Sequence, residues 1–152
     1  MKNIKLFTDS SVNPQKKIGF GSFLVVQNEN ILFENLKESI KTKEFENTSS
    51  TKLELETLLW ALEEIKNNED CIIEVYTDCQ NIIGLKNRRE KLETANNELY
   101  KEFFEKIDKM NLVFIKVKGH KKSSLKDEID TIFNFVDKAS RRALRMNITY
   151  LK

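Results

Sequence analysis

Near its N-terminus the chain reads Ile4-Lys5-Leu6-Phe7-Thr8-Asp9-Ser10-Ser11, and this stretch decides the fold. The side chains of a strand alternate between its two faces, so Phe7 and Asp9 share one face and Leu6 lies on the other. Apolar residues on both faces predict a buried strand. Asp9 ends that strand on the side of Phe7, where a charge contributes little to solubility. The sequence therefore predicts a buried strand with a carboxylate at its end.

The same pattern recurs later in the chain, which reads Ile72-Ile73-Glu74-Val75-Tyr76-Thr77-Asp78-Cys79-Gln80. If the two strands are neighbours in a sheet, Asp9 and Asp78 lie side by side. Two like charges at that distance repel each other unless a cation lies between them. The repeated pattern therefore predicts a cation site at the ends of two adjacent strands.

Length and composition predict one ordinary globular domain. The chain has 152 residues, of which 33% are charged and 39% apolar, so we expect a single domain over residues 1–152. The formal net charge is only +2. Basic residues nevertheless cluster at 86–89, 116–122 and 141–145, and local clusters of this kind favour a polyanionic partner.

The few cysteines and histidines limit the chemistry. Cys71 and Cys79 flank one predicted strand, too far apart to form a disulfide, and indicate reduced thiols in a cytoplasmic protein. We expect no signal peptide and no membrane span. Because His120 is the single histidine, carboxylates must hold any metal ion, which favours Mg²⁺ or Mn²⁺.

Hydrophobic spacing and turn residues predict the remaining elements. After the first strand, strands are expected over residues 17–26, 31–36, 72–78 and 112–117. Helices are expected over about 51–66, 81–85, 92–110 and 127–146. The charged segment 40–47 is predicted to be a loop, with strand character as the alternative. Gly19 and Gly21 indicate a bulge or a close backbone approach. The order of elements predicts one mixed sheet with helices on its faces.

Two acids occupy unusual positions on predicted helices. Thr51 and Glu54 fit a capping box that begins the first long helix. Its buried stripe is formed by Leu55, Leu58, Leu59, Leu62 and Ile65. Glu54 lies on the flank of that stripe, and Asp137 borders the apolar stripe of the last helix. Together with the two strand-end acids, they make four candidate ligands. Converging carboxylates are what a two-metal site for phosphoryl transfer needs, with the ions ~3.5–4 Å apart.

Five motifs resemble the type 1 ribonucleases H, in that family's order and over nearly the whole chain. They are Phe7-Thr8-Asp9-Ser10-Ser11 with Asn13-Pro14; Thr51-Lys52-Leu53-Glu54-Leu55 with Ala61-Leu62-Glu63; Tyr76-Thr77-Asp78-Cys79-Gln80; Val117-Lys118-Gly119-His120; and Val136-Asp137-Lys138-Ala139-Ser140. Each motif alone is a weak signal, but five in register are a strong one.

The resemblance implies a fold and an activity. The fold is a ribonuclease H-like α/β domain whose five-stranded mixed sheet has the order 3-2-1-4-5, with strands 1–3 antiparallel and helices on both faces. The activity is endonucleolytic hydrolysis of the RNA strand of RNA–DNA hybrids to 5′-phosphate and 3′-hydroxyl ends. It uses two Mg²⁺ ions, with Mn²⁺ as an alternative. We expect no obligate protein partner and take the protein to be a monomer.

The resemblance also assigns roles to single residues. The metal-binding acids are Asp9, Glu54, Asp78 and Asp137. His120 matches a mobile histidine that assists water activation or product release. Asn13 and Gln80 match positions that contact the hybrid around the scissile phosphate and the RNA 2′-hydroxyls. Apart from the resemblance, Ser11, Lys118, Lys121 and Lys122 are also expected to contact the hybrid.

The chain departs from the family pattern in ways that leave one alternative open. The stretch between His120 and Asp137 is longer than usual and contains Asp127 and Asp130. Asp130 is therefore an alternative fourth acid, although the residues after Asp137 carry the family's helix pattern. Ser10 stands where the family has glycine. The basic protrusion of well-known bacterial members is shortened to residues 86–91 and lacks tryptophan.

Each residue also has an ordinary structural explanation. Asp9 and Asp78 could cap turns, Asp137 could pair with Arg141 one helical turn later, and His120 could be a loop residue. One metal site explains all four acids together, which favours the ribonuclease H interpretation. The alternatives are a nuclease of the same fold that acts on another nucleic acid, such as a DNA junction, and a non-catalytic nucleic-acid-binding module.

Overall fold

A computed structural model describes residues 2–27, 33–65, 71–93, 98–117 and 128–150. In chain order the elements are β1 (Lys2–Asn13), β2 (Ile18–Val26), α1 (Phe33–Glu38), β3 (Lys41–Phe45), α2 (Ser50–Glu64), β4 (Cys71–Thr77), α3 (Gln80–Leu85), a 3-10 helix (Arg89–Glu93), α4 (Glu98–Lys109), β5 (Asn111–Lys116) and α5 (Glu128–Tyr150). Within these ranges, no helix has both the length and the apolar character needed to cross a membrane.

The five strands form one mixed sheet in the order β3-β2-β1-β4-β5. β1 pairs antiparallel with β2, which pairs antiparallel with β3, while β1–β4 and β4–β5 are parallel. The predicted order and strand directions are therefore confirmed. β1 lies at the centre because Leu6 and Phe7, on its opposite faces, are both completely buried.

The third strand does not lie where the sequence predicted it. Residues 33–38 form helix α1 instead of the strand expected over 31–36, and β3 is Lys41–Phe45, inside the segment predicted as a loop. β3 is an edge strand and mostly exposed, so it needs no apolar alternation, and its backbone pairing with β2 holds it in place. Leu36, one of the apolar residues on which that prediction rested, is buried against α5.

Helices cover both faces of the sheet. Residues of α2 and α4 pack with Leu6 in one core cluster. Residues of α5 pack with Phe7 in the other, where the Phe7 ring stacks on Tyr76 with 4.7 Å between ring centroids. The predicted leucine stripe of α2 is buried throughout. Helix α4 begins later than expected, at Glu98, because Arg89–Glu93 forms a separate 3-10 helix.

Helix α2 begins differently from the prediction. Its N-cap is Ser49, whose hydroxyl accepts a hydrogen bond from the backbone N–H of Lys52 at 3.3 Å. The capping box expected at Thr51 and Glu54 is therefore not formed. Four consecutive hydroxyl residues precede the apolar run, so the sequence offers several caps and local spacing cannot choose among them. As a consequence, the Glu54 carboxylate is not committed to the helix end.

Two glycines let α2 lie directly against the sheet. A Cβ atom on Gly21 would overlap the Thr57 side chain, and one on Gly19 would overlap the side chain of Leu53. The close backbone approach that the sequence indicated is therefore present on this face of β2. It fixes the distance of α2 from the sheet and so the height of Glu54 above the strand ends.

We predict that Gly21→Ala destabilises the protein by about 1–3 kcal/mol, because the added methyl group must push α2 away from β2. Thermal or urea unfolding measures this change. Gly84→Ala is the matched control, since a Cβ on Gly84 in α3 meets nothing within 4 Å and alanine favours a helix. A Gly21→Ala protein as stable as wild type would contradict the close approach.

Candidate active site

The parallel pairing of β1 and β4 brings two acids together. Phe7 lies opposite Tyr76, and the same offset places Asp9 beside Asp78, which directly follows β4. The predicted strand end at Asp9 is wrong, because the pairing with β2 continues β1 as far as Asn13. Asp9 is only 3% exposed, whereas Asp78 lies at the solvent-exposed rim. The repeated Thr-Asp pattern thus produces a buried and an accessible carboxylate at one edge of the sheet.

Helix α2 adds a third acid from one face of the sheet. The Ser10 hydroxyl donates a hydrogen bond of 2.6 Å to Oε1 of Glu54, which turns this side chain toward the end of β1. Carboxylate oxygens of Asp9, Glu54 and Asp78 all lie within 4.8 Å of one another. Three acids from three different elements therefore share one small volume.

Helix α5 adds Asp137 from the opposite face. The buried Ser22 hydroxyl donates a hydrogen bond of 2.8 Å to the carbonyl oxygen of Val136, and Ser22 is the strand partner of Asp9 in the β1–β2 pair. This contact fixes α5 beside Asp9, and the side chains of Asp9 and Asp137 are hydrogen-bonded. Asp137 also pairs with Arg141, whose Nε lies 3.2 Å from its Oδ1.

The alternative acid lies further along the same helix. Asp130 precedes Asp137 by seven residues, or about 10 Å along the helix axis. Its side chain is buried, at 8% exposure, and it has partners of its own. Asp137 is the acid of α5 that contacts Asp9. The geometry therefore favours Asp137 over Asp130 as the fourth member of the cluster.

Burial and repulsion between neighbouring acids raise the pKa values of Asp9 and Glu54, which favours their protonated forms. Desolvation, the hydrogen bond that protonated Asp9 donates to Asp137 and the charges of the neighbouring acids together raise the pKa of Asp9 to about 10. The pKa of Glu54 is raised to about 7, mainly by desolvation and also by the charges of Asp78 and Asp137, while the hydrogen bond from Ser10 lowers it. The cluster concentrates more negative charge than it can hold without a proton or a cation.

Two buried carboxylate oxygens indicate a cation-binding site. Among the described residues, Oδ2 of Asp9 and Oε2 of Glu54 are buried without a hydrogen-bond partner. A buried polar atom without a partner is unfavourable by roughly 1–3 kcal/mol, and such atoms are rare in native proteins. An all-oxygen donor set of carboxylates suits Mg²⁺ or Mn²⁺. The residues present therefore fit a divalent-cation site.

The remaining predicted residues that the structure describes follow the acids Asp9 and Asp78 in the chain. Ser11 follows the acid on β1 and is half-buried. The Asn13 side-chain carbonyl accepts hydrogen bonds from the backbone N–H groups of Gln15 and Lys16 and so closes the turn after β1. Gln80 Oε1 accepts a hydrogen bond of 2.9 Å from Lys116 Nζ.

Cys79 lies next to the acids but is not suited to act as a nucleophile. Burial raises the pKa of its thiol, as do the charges of Glu54 and Asp78. A thiol rather than a thiolate is therefore present at neutral pH. Cys71 is also a free thiol.

Several predicted residues lie outside the described part of the chain. They are Lys118, His120, Lys121, Lys122 and Asp127. Their roles therefore stay predictions. Sequence reasoning also missed two supporting residues, Ser10 and Ser22. Ser10 follows a strand-end acid, which is a usable signal. Ser22 is recognisable only once the position of α5 is known.

The five-stranded mixed sheet, with helices on both faces and acids at the ends of its central strands, defines a ribonuclease H-like α/β domain. The family model described as RNase H matches residues 1–143. The ribonuclease H of Caldicellulosiruptor saccharolyticus is 29% identical, with an alignment that covers 95% of this chain and 98% of that protein. The ribonuclease H of Clostridium botulinum strain Hall is 28% identical, covering 88% and 95%. The chain belongs to the RNase H family, a family of hydrolases.

We predict that Asp9→Asn stabilises the protein at pH 7 in buffer without divalent cations. The pKa of Asp9 is about 10 in the native state against an ordinary 3.8, so the native state keeps a proton that the unfolded state releases. Its contribution to stability is full below the unfolded pKa and is lost as the pH rises toward the native pKa. Asparagine cannot ionise, so the variant should gain on the order of 1 kcal/mol or more at pH 7, and less at pH 5.

Urea unfolding at both pH values measures the difference between wild type and variant. Glu105→Gln, the same carboxylate-to-amide change at an exposed position of α4, is the control and should have no effect. Added Mg²⁺ should stabilise wild type more than Asp9→Asn. An Asp9→Asn protein that is less stable than wild type at both pH values without metal would exclude this account.

Proposed function

We propose that the chain is an endonuclease that hydrolyses the RNA strand of RNA–DNA hybrids and leaves 5′-phosphate and 3′-hydroxyl ends. The observation that carries the proposal is the convergence of Asp9, Glu54, Asp78 and Asp137 at one edge of the sheet, with buried oxygens that lack partners among the described residues. Membership of the RNase H family supports it, as do relatives named ribonuclease H.

The four acids are the residues that would hold the metal, which we propose to be two Mg²⁺ ions, with Mn²⁺ as the alternative. Bound divalent cations supply activation of the attacking water and stabilisation of the leaving 3′-oxygen. The chain supplies the positioning. Ser10 orients Glu54, and the Ser22 contact to the backbone of α5 holds Asp137 beside Asp9. Arg141 offsets part of the charge of Asp137.

We propose that residues at the rim distinguish the RNA strand. The 2′-hydroxyl both donates and accepts hydrogen bonds and is the group that separates RNA from DNA. Asn13 and Gln80 already use their side-chain carbonyl oxygens in contacts within the protein. Their amide NH₂ groups are therefore the donors they can present to a ribose. Ser11, Lys118, Lys121 and Lys122 are proposed to bind the same substrate, and His120 to assist water activation or product release.

The setting in which the enzyme works is also part of the proposal. We expect a cytoplasmic monomer, and the free thiols of Cys71 and Cys79 support a reducing compartment.

We predict that the protein cleaves the labelled RNA strand of a hybrid only when Mg²⁺ or Mn²⁺ is present, and that Asp78→Asn lowers the rate at least ~100-fold. Asp78 is exposed, so this substitution should leave the fold intact. A gel assay with hybrid, duplex DNA, duplex RNA and a four-way junction measures both activity and substrate class. Glu105→Gln is the control for a lost exposed acid.

Hybrid cleavage that continues in EDTA, or full activity in Asp78→Asn, would refute the metal-dependent assignment. Cleavage of the junction but not of the hybrid would assign the site to a different nucleic acid. Circular dichroism of each variant shows whether a lost activity reflects a lost fold.

A second pair of substitutions distinguishes the two candidate acids of α5. Asp137→Asn should lower the cleavage rate at least ~100-fold, because Asp137 contacts Asp9. Asp130→Asn should keep a rate within a few-fold of wild type, although its burial predicts a lower melting temperature. Initial rates measured well below both melting temperatures make the comparison. The reverse ranking of rates would move the fourth acid to Asp130.

A further inference from the structure

A basic pocket lies beside the acid cluster. A cavity of about 620 Å³ is lined by Ser11, Lys138, Arg141, Arg142, Leu144 and Arg145. We define these residues as the α5 pocket. Apart from Ser11 on β1, all of them belong to α5. None of the three acids Asp9, Glu54 and Asp78 lines the pocket, so the proposed metal site does not explain it.

The composition of the α5 pocket indicates an anionic ligand. Four of the six lining residues are basic, and Leu144 is the one apolar residue among them. Lys138 precedes Arg141 by three residues and Arg142 by four, and these two precede Arg145 by four and three, so all four basic residues lie on one side of α5. Within the described part of the chain, no carboxylate pairs with Lys138 or Arg142. The pocket therefore presents positive charge to the solvent.

The position of the α5 pocket connects it to the phosphodiester chemistry. Arg141 lines the pocket and also pairs with Asp137 at 3.2 Å. On the strand side, Ser11 lines the pocket and directly follows Ser10, which holds Glu54. The α5 pocket therefore adjoins the acid cluster on the side of Asp137.

The length of the basic row fits several phosphates of one strand. Lys138 to Arg145 spans about 10 Å along the helix axis. Phosphates of one strand in a duplex are separated by roughly 3.4 Å along the duplex axis, so a row that runs along that axis would cover about three of them. A free phosphate or a mononucleotide would use only part of this row.

We propose that the α5 pocket binds the phosphate backbone of the hybrid next to the scissile position and provides affinity that the shortened basic protrusion at residues 86–91 does not. This inference rests on the proposed function for the identity of the strand. Phosphate contacts give affinity and register without base specificity. The pocket should therefore bind hybrids of any sequence equally.

The test uses Lys138→Gln/Arg142→Gln, because Arg141 contacts Asp137 and is better left in place. Both changes are made in the Asp78→Asn background, so that the hybrid stays intact during binding. The dissociation constant is measured by fluorescence anisotropy at several salt concentrations. Affinity should fall at least roughly tenfold, and the slope of log K against log salt should decrease by about two, one for each lost contact.

The matched control is Lys101→Gln/Lys109→Gln, also in the Asp78→Asn background. It removes the same net charge from exposed positions of α4, on the opposite face of the sheet. It should change neither the affinity nor the slope by a comparable amount. Equal losses in both double variants, or no loss in Lys138→Gln/Arg142→Gln, would overturn the proposal.

Two further outcomes separate the possibilities. If wild type cleaves no hybrid but Lys138→Gln/Arg142→Gln still lowers the salt slope, the proposed function fails and the phosphate-binding pocket stands. Inorganic phosphate at constant ionic strength could instead stabilise wild type but not Lys138→Gln/Arg142→Gln, while these two substitutions leave the affinity for the hybrid unchanged. In that case the pocket is a site for free anions and the proposal is wrong.

Discussion

The main physical constraint on this structure is the mutual repulsion of the carboxylates that are gathered around the buried Asp9 of β1. Asp9 is buried almost completely at the centre of the sheet, where ionisation is opposed by the loss of water and by three neighbouring acids. A protein evolved for stability alone would place an apolar or hydrogen-bonded residue here. The grouping of these acids therefore fits a cation-binding site. The surrounding elements each hold one carboxylate in place.

Two kinds of contact hold the helices at the required distance. On one face, the absence of side chains at Gly19 and Gly21 lets α2 lie against β2 and lowers Glu54 to the strand ends. On the other face, a buried hydrogen bond from Ser22 to the backbone of α5 sets the position of Asp137. Both depend on small residues of the same strand, β2, which alternates between the two helices. β2 is thus the strand that positions the acids, although it carries none of them.

Much of this arrangement could be predicted from the sequence because it rests on local patterns. Alternation and the repeated strand ending predict two strands with acids at their ends, and helical spacing singles out Glu54 on the flank of its leucine stripe. The sheet order came from the resemblance to the family, and the structure confirms it. β3 was misplaced because an exposed edge strand is held by backbone pairing and leaves no apolar pattern in its side chains.

The choice between Asp130 and Asp137 could not be made from helical spacing, since residues seven apart lie on nearly the same face of a helix. The structure places Asp137 beside Asp9 through the position of α5 along β1, which is held by the hydrogen bond between Ser22 and Val136, 114 residues apart in the chain. Which of the two acids binds metal stays a prediction. The N-cap of α2 had the same difficulty, because several hydroxyl residues were equally suitable there.

Helix α5 carries both an acid of the cluster, Asp137, and several basic residues on the turns that follow it. An acid close to Asp9 raises the repulsion within the cluster, and the Arg141 cation that pairs with this acid lowers it. Arg141 belongs to both, since it pairs with Asp137 and lines the α5 pocket. Because a helix repeats its surface every three to four residues, one element can place a carboxylate at the acids and cations immediately beside them. The acid that Asp137 adds to the cluster is thus accompanied, on the next turns of its own helix, by the positive charge that a polyanionic substrate requires.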